Sequence, residues 1–214
     1  SEARTLAQAD VVVWVGPTLT PWLEAPLNTL APGARHLVLE RTPQINILPF
    51  RDGDAFEQHE HDHGHDDEEG EANDPHLWLD PTNATIWLGA IADLLAKADP
   101  DNAQIYRENA SRGQVTIALQ EKAIVQQLQP LADIPFIVLH DGFHYFESHF
   151  GIEAIAAVSS GDAAKPGAAR IAALRGQLAD SNLRCAFAEP QINASLLKTV
   201  TEGLDVKIGI LDPL

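Results

Sequence analysis

Residues 102–140 read NAQIYRENASRGQVTIALQEKAIVQQLQPLADIPFIVLH. From residue 102 to residue 128 the apolar side chains recur at helical spacing, which predicts one long amphipathic helix. The strongly apolar run at 134–139 then predicts a buried strand. Because the helix is longer than an ordinary crossover between neighbouring strands, we interpret residues 101–130 as a connecting helix between two lobes.

Short apolar runs alternate with helical patterns on both sides of this connecting helix. Before it, the predicted strands are 11–15 and 37–39, and Asp80-Pro81 supply the N-cap and first residue of a helix. After it, strands are predicted at 134–139, 152–158, around Cys185 and at 206–211, with helices at 143–150, 166–179 and 194–204. Alternating strands and helices predict parallel β/α units. The fold class is therefore α/β, with an N-terminal lobe over 1–100 and a C-terminal lobe over 131–214.

Charge and hydropathy exclude several classes of partner. The formal net charge is −17, and residues 57–74 hold nine acidic residues and no basic one. A chain this acidic is repelled by nucleic acid and by anionic membrane surfaces, so we expect no nucleic-acid partner. No apolar run approaches the length of a membrane span, so no transmembrane segment is predicted.

A histidine-rich tract indicates metal handling. Residues 59–80 read HEHDHGHDDEEGEANDPHLWLD. Imidazole and carboxylate together suit borderline divalent metals, above all zinc. We predict low-affinity capture by the acidic loop 57–74 and a fixed ligand at His76, in a turn flanked by proline. The low-affinity ligands are His59, His61, His63 and His65. A solvated loop or a cloning tag has a similar composition, although acids interleaved inside the chain disfavour a tag.

Further candidate ligands follow the predicted strands. His140, Glu189 and Asp212 each come after a different strand of the C-terminal lobe. The carboxyl ends of parallel strands meet at one edge of a sheet, where ligands bind, so we expect these three side chains at the same edge. With His76 from the other lobe, a set of two histidines and one carboxylate forms a plausible zinc shell, provided that a fourth ligand comes from elsewhere. Singly, each is weak evidence, because a strand-end Asp is often an N-cap.

Four motifs together resemble the metal-binding solute receptors of ABC importers, the ZnuA/TroA-like class. They are DPHLWLDP at 74–81, LHDGFHYF at 139–146, FAEPQ at 187–191 and LDPL at 211–214. The resemblance covers essentially the whole chain. It implies two β/α lobes with parallel sheets joined by a long rigid helix, and a metal site in the cleft between the lobes. It also implies a periplasmic, or otherwise extracytoplasmic and membrane-associated, receptor that is monomeric and is not an enzyme.

The same resemblance implies which residues bind the metal. It carries over His76 and His140 as ligands and Asp212 as a carboxylate ligand or near neighbour. A histidine at position 140 and the acidic histidine loop are similar to the zinc-specific branch, whereas manganese receptors tend to have Glu at that position. We therefore expect zinc as the bound ion and a membrane permease of an ABC importer as partner. For His144, one turn beyond His140, we favour a surface or packing role over an auxiliary contact with the metal.

The ends of the chain suggest that it is trimmed. It has no initiator Met and no signal segment, and the resemblance places the first His ligand upstream of Ser1. Cys185 is the one cysteine, and a small buried hydrophobe is the commonest role of a free Cys. The resemblance instead implies a second Cys beyond Leu214. We expect both lobes to be incomplete, at the start and at the end, and Cys185 to form a disulfide in an oxidising compartment.

Other functions stay open at this point. A manganese or iron receptor of the same class would share the fold. A zinc hydrolase could use Glu189 as a base, but the chain has no HExxH pair. Residues 159–165, SSGDAAK, lack the core of a phosphate-binding loop. A metal-storage protein would need only the histidine tract, and the ordered motifs would then have no purpose.

Overall fold

The structure, a computed structural model, describes residues 2–51, 73–159, 166–179 and 181–214. The chain divides into two compact units. The first comprises Ser1–Leu48 and Asn73–Ile124, and the second comprises Pro49–Ala72 and Val125–Leu214. The division falls inside the long helix, so both units share it. The three-part bounds 1–100, 101–130 and 131–214 stay a prediction.

The first unit contains a small parallel sheet and three complete helices. In chain order its elements are α1 (Glu2–Ala7), β1 (Val11–Trp14), α2 (Glu24–Leu30), β2 (Arg35–Val38) and α3 (Pro81–Ala98). β1 and β2 pair in parallel, with Val11 opposite Arg35. The strand predicted at 37–39 thus begins earlier, because the exposed Arg35 and His36 pair through their backbones, whatever their polarity. It also ends earlier, since residues Leu39–Arg41 form a 3-10 turn.

The long helix α4 spans Ala103–Leu128, close to the predicted 102–128. It follows α3, whose N-cap is Asp80, as predicted: the Asp80 side chain accepts a hydrogen bond from the Thr82 backbone N–H at 2.8 Å. Within α4, which is described throughout, Ala110 is the one buried residue. Half-buried side chains, such as Tyr106, Ile117 and Ile124, recur along α4 at helical spacing, so one face of the helix is partly buried and the other is exposed.

The second unit contains a four-stranded parallel sheet with strand order β4-β3-β5-β6. Its elements are β3 (Phe136–His140), α5 (His144–Phe150), β4 (Ala156–Ser159), α6 (Ala168–Ala179), β5 (Cys185–Ala188), α7 (Ser195–Thr201) and β6 (Lys207–Ile210). Buried apolar side chains such as Ile137, Leu174 and Leu197 form its core. β3 begins after Pro135 and extends to His140 itself, one residue further than predicted. β4 covers only the end of the predicted 152–158 run.

These observations confirm an α/β fold with parallel sheets and a long connecting helix. The parallel order places the carboxyl ends of all four strands of the second unit at one edge. His140 ends β3, Glu189 directly follows β5, and Asp212 follows β6 by two residues. Among the described residues, no helix is both long and apolar enough to span a membrane.

Candidate metal centre

His140 lies against a carboxylate from the neighbouring strand. Its Nδ1 is 3.1 Å from Oε2 and 3.2 Å from Oε1 of Glu189. β3 pairs with β5 so that Val138 lies opposite Phe187, and extending this register by two residues sets His140 opposite Glu189. A neutral imidazole that donates its Nδ1–H carries its lone pair on Nε2, which then binds a metal. Strand pairing therefore orients His140 with Nδ1 toward Glu189, the arrangement in which Nε2 is the nitrogen able to bind a metal.

The His140 imidazole packs against Gly142, a residue without a side chain. A Cβ at Gly142 would lie 2.5 Å from Cε1 and 2.9 Å from Nδ1 of His140, well inside van der Waals contact. The Gly142 backbone N–H also donates to the His140 carbonyl at 2.9 Å. The imidazole thus packs directly on the turn that follows its own strand. Sequence analysis did not single out Gly142. A glycine two residues after a candidate ligand could have indicated a close approach of the backbone to the histidine ring.

His76 in the first unit has the same kind of partner. Its Nδ1 is 2.7 Å from Oδ1 of Asp74, and the same carboxylate oxygen accepts the His76 backbone N–H at 2.9 Å. Asp74 is fully buried and His76 is 4% exposed. The Asp74-Pro75-His76 turn therefore fixes the ring by a local hydrogen bond that spans two residues. Like His140, His76 is held by a carboxylate at its Nδ1.

An asparagine on α3 holds the segment that carries His76. The Asn83 Nδ2 donates to the Leu77 carbonyl at 3.1 Å and to the Asn46 carbonyl at 2.9 Å. Its Oδ1 accepts the Asn46 backbone N–H at 2.7 Å. Asn83 is fully buried, so these bonds satisfy an amide that would otherwise be costly to bury. Sequence analysis missed Asn83, because it reads as an ordinary residue in the first turn of a helix.

Asp212 has a different environment from the two histidines. It is exposed, and its Oδ1 accepts hydrogen bonds from Gln191 Nε2 at 2.7 Å and from the Leu214 backbone N–H at 3.1 Å. Gln191 comes from the FAEPQ motif, so two of the four motifs meet here. Within the described residues, no group of three or more His, Cys, Asp and Glu side chains is placed to hold a metal ion. The structure brings His140 to Glu189 and His76 to Asp74, and it leaves the full ligand set a prediction.

The whole chain, residues 1–214, matches the family model described as "ZnuA: Zinc-uptake complex component A periplasmic". This chain belongs to the ZnuA family. The resemblance inferred from the four motifs is thereby confirmed.

Relatives with curated names share the whole length of this ZnuA-family chain. The "High-affinity zinc uptake system protein ZnuA" of Paracoccus denitrificans (strain Pd 1222) is 37% identical over 231 residues, covering 100% of this chain and 71% of the relative. The protein of that name from Brucella abortus (strain 2308) is 34% identical over 240 residues, covering 100% of this chain and 72% of the relative.

Solved structures show the same fold. A structure titled "Crystal structure of ZnuA" superposes with a TM-score of 0.83 at 22% identity, over 100% of this chain and 76% of that one. A ZnuA deletion mutant with zinc bound superposes with a TM-score of 0.77 at 24% identity, over 99% of this chain and 74% of that one.

Three other predicted features of this ZnuA-family chain have different outcomes. His59, His61, His63 and His65 lie outside the described residues. Cys185 is a half-buried free cysteine at the start of β5, so its disulfide stays a prediction. His144, half-buried on α5, lines a cavity of about 500 Å³ together with Arg51, Glu147 and Glu153.

Proposed function

We propose that this chain is the zinc-binding receptor of an ABC importer, which binds zinc outside the cytoplasmic membrane and delivers it to a membrane permease. The observation that carries the proposal is the matching environment of two histidines. His76 and His140 each present Nδ1 to a buried carboxylate, Asp74 and Glu189 respectively. Family membership supports zinc as the cargo, since the relatives described above are named for zinc uptake.

The chemistry of this pairing suits a metal ligand. A carboxylate on Nδ1 fixes the tautomer and orientation of the imidazole and raises the basicity of Nε2. Zinc binds such nitrogens in a tetrahedral shell of nitrogen, sulfur and oxygen ligands. The proposed fixed site uses His76, His140 and, as a carboxylate ligand or near neighbour, Asp212. The periplasm as compartment, the permease as partner and the monomeric state belong to the same proposal.

The position of the Glu189 carboxylate also suits a receptor better than an enzyme. In a zinc hydrolase, Glu189 would have to act as a general base on a metal-bound water. Its two carboxylate oxygens instead lie 3.1 and 3.2 Å from His140 Nδ1, in the position of a carboxylate that supports a ligand. Imidazole ligands also favour zinc over manganese, which prefers oxygen donors.

The experiment that tests the function is a zinc titration of the full-length protein and of its His76→Ala and His140→Ala variants. A four-ligand shell that loses one strong donor should bind zinc weaker by orders of magnitude. Competition with a chromophoric chelator measures the affinity, and a parallel titration with manganese tests the alternative cargo. His36→Ala is the control, because His36 is an exposed residue of β2 whose Nε2 lies 2.9 Å from the Ala31 carbonyl oxygen. Unchanged tight zinc binding in both site variants would contradict the assignment.

A further inference from the structure

Arg51 is a buried arginine in the second unit, held by two carboxylates. Its Nε lies 3.1 Å from both Oδ1 and Oδ2 of Asp141, and its Nη2 also donates to Asp141 Oδ1. Its Nη1 donates to Glu147 Oε2 at 2.6 Å. The side chain of Arg51 is 8% exposed and those of both carboxylates are 2% exposed. Arg51 therefore grips Asp141 with two nitrogens and Glu147 with the third.

The environment keeps Arg51 charged. Burial disfavours the charged guanidinium and by itself lowers the pKa of Arg51, but Asp141 and Glu147 outweigh burial, so the pKa ends above its ordinary value. Two buried carboxylates without this cation would be strongly unfavourable, because each would lose its counter-charge in a medium of low dielectric constant. Arg51 consequently supplies the positive charge that both carboxylates need, and most of its contacts are with Asp141.

This cluster lies next to His140 along the chain. Asp141 directly follows His140, and its backbone N–H donates to the Ser159 carbonyl of β4 at 3.1 Å. Glu147 Oε2 also accepts the Ala154 backbone N–H at 3.0 Å. Arg51 thus contacts the turn after β3 through Asp141, which lies 90 residues further along the chain. Through Glu147 it is also linked to the loop after α5. The Asp141 side chain cannot rotate freely, so the peptide that joins it to His140 is restrained as well.

We propose that Arg51 is a positioning residue for zinc binding, which holds the Asp141 carboxylate and thereby fixes the orientation of the neighbouring His140 imidazole. This inference rests on the proposed zinc function and adds to it a residue outside the four motifs. The requirement is geometric. Lys at this position would keep the positive charge and lose the planar fork that holds both carboxylate oxygens.

The decisive variant is therefore Arg51→Lys in the full-length protein. Arg175→Lys is the matched control, because Arg175 is a more exposed arginine of the same unit that donates to the Thr199 carbonyl and to Glu202. Two properties are measured: zinc affinity, by chelator competition, and the imidazole ¹⁵N shifts of His140 in the zinc-free protein. We expect Arg51→Lys to weaken zinc affinity by about 10-fold or more and to shift the His140 nitrogens. Arg175→Lys should change neither.

A purely structural role for Arg51 predicts a different pattern. The melting temperature of Arg51→Lys would then fall, whereas zinc affinity and the His140 shifts would match those of the wild type, and the proposal would be overturned. A double-mutant cycle with Asp141→Asn gives a second decision. If Arg51 acts through Asp141, the two losses of affinity should be strongly non-additive. Additive losses would overturn the proposal.

A further variant covers the case in which Arg51→Lys does not fold. Glu147→Gln keeps the grip of Arg51 on Asp141 and removes only the second carboxylate charge, so we expect near-normal zinc affinity and near-normal His140 shifts. A loss of affinity equal to that of Asp141→Asn would contradict the route through Asp141. The proposed zinc function is tested independently of Arg51: it is wrong if the wild type itself does not bind zinc. The ¹⁵N shifts of the zinc-free protein would still show whether Arg51 orients His140.

Discussion

His140 Nδ1 lies 3.1 Å from Glu189 Oε2, and the two side chains are each 3% exposed. The contact joins adjacent strands of the second sheet at their carboxyl ends, where a parallel sheet places its ligands. His76 has an equivalent contact with Asp74 that is made within a single turn. Two unrelated local structures therefore produce the same chemistry, an imidazole oriented by a carboxylate.

The first prediction concerns Glu189. Replacing it with Gln keeps the size of the side chain and removes the negative charge beside His140 Nδ1. We expect zinc affinity to fall by about 10-fold, in the range typical of partners that orient a metal-binding histidine. Chelator competition measures it. Glu202→Gln is the control, since Glu202 is an exposed carboxylate of the same unit paired with Arg175. Equal affinities of the wild type and Glu189→Gln would show that the carboxylate charge has no role.

The second prediction concerns Gly142. Its replacement by Ala would set a Cβ 2.5 Å from His140 Cε1, so the ring or the turn must move. We expect at least an approximately 10-fold loss of zinc affinity, because a displaced ring no longer meets the zinc shell. Gly176→Ala is the matched control: a Cβ there meets nothing within 4 Å, and Ala favours the α6 helix. A Gly142→Ala protein that binds zinc like Gly176→Ala would contradict the packing argument.

The third prediction separates capture by the histidine tract from binding at the fixed site. The tract has no apolar periodicity and nothing to bury, so its ions should bind weakly and exchange with water. Deleting residues 57–72 should remove the weak binding events and keep one tight event. The weak events should also fade in the wild type as pH falls through the ordinary imidazole pKa of about 6.5. Calorimetric titration at two pH values measures both. If the tight event disappears with the deletion, the tract supplies a primary ligand.

The fourth prediction concerns pH and the junction of α3 and α4. The Asp99 carboxylate accepts hydrogen bonds from Asn102 Nδ2 at 2.7 Å and from the Tyr106 hydroxyl at 2.8 Å, and these lower the pKa of Asp99. A lowered folded-state pKa stabilises the protein above the unfolded pKa of about 3.9, and this stability is lost as pH falls through the folded value. Asp99→Asn should therefore lower the melting temperature slightly at pH 7.

The difference between wild type and Asp99→Asn should shrink in acid, below the folded pKa of Asp99. Thermal melts across this range measure it, and Asp101→Asn, an exposed residue of the same turn, controls for removal of a charge. Tyr106, which donates one of these hydrogen bonds to Asp99, gives a complementary test at high pH. Donation to Asp99 raises the pKa of Tyr106, so its contribution is present below about pH 10 and is lost as pH rises through the folded value. A difference between wild type and Asp99→Asn that is independent of pH would contradict this account.

Much of the fold follows from local patterns in the sequence. Residues 102–128 predict α4 because helical periodicity persists over the whole run, and Asp80-Pro81 predict the start of α3 from capping alone. Parallel pairing follows from alternation of strands and helices. The limits of β2 and β4 were less accurate, since backbone pairing with a neighbour, and not the polarity of Arg35 or His36, decides where a strand begins.

The sequence by itself determined which histidines are candidate ligands, His76 and His140, because their motifs are contiguous. Only the tertiary structure decided what holds them. Glu189 reaches His140 through the register of β3 and β5, and Arg51 reaches Asp141 across 90 residues of sequence. Periodicity and motifs record the neighbours of a residue along the chain. Strand register and the packing of buried charges depend on segments that become neighbours only when the chain folds.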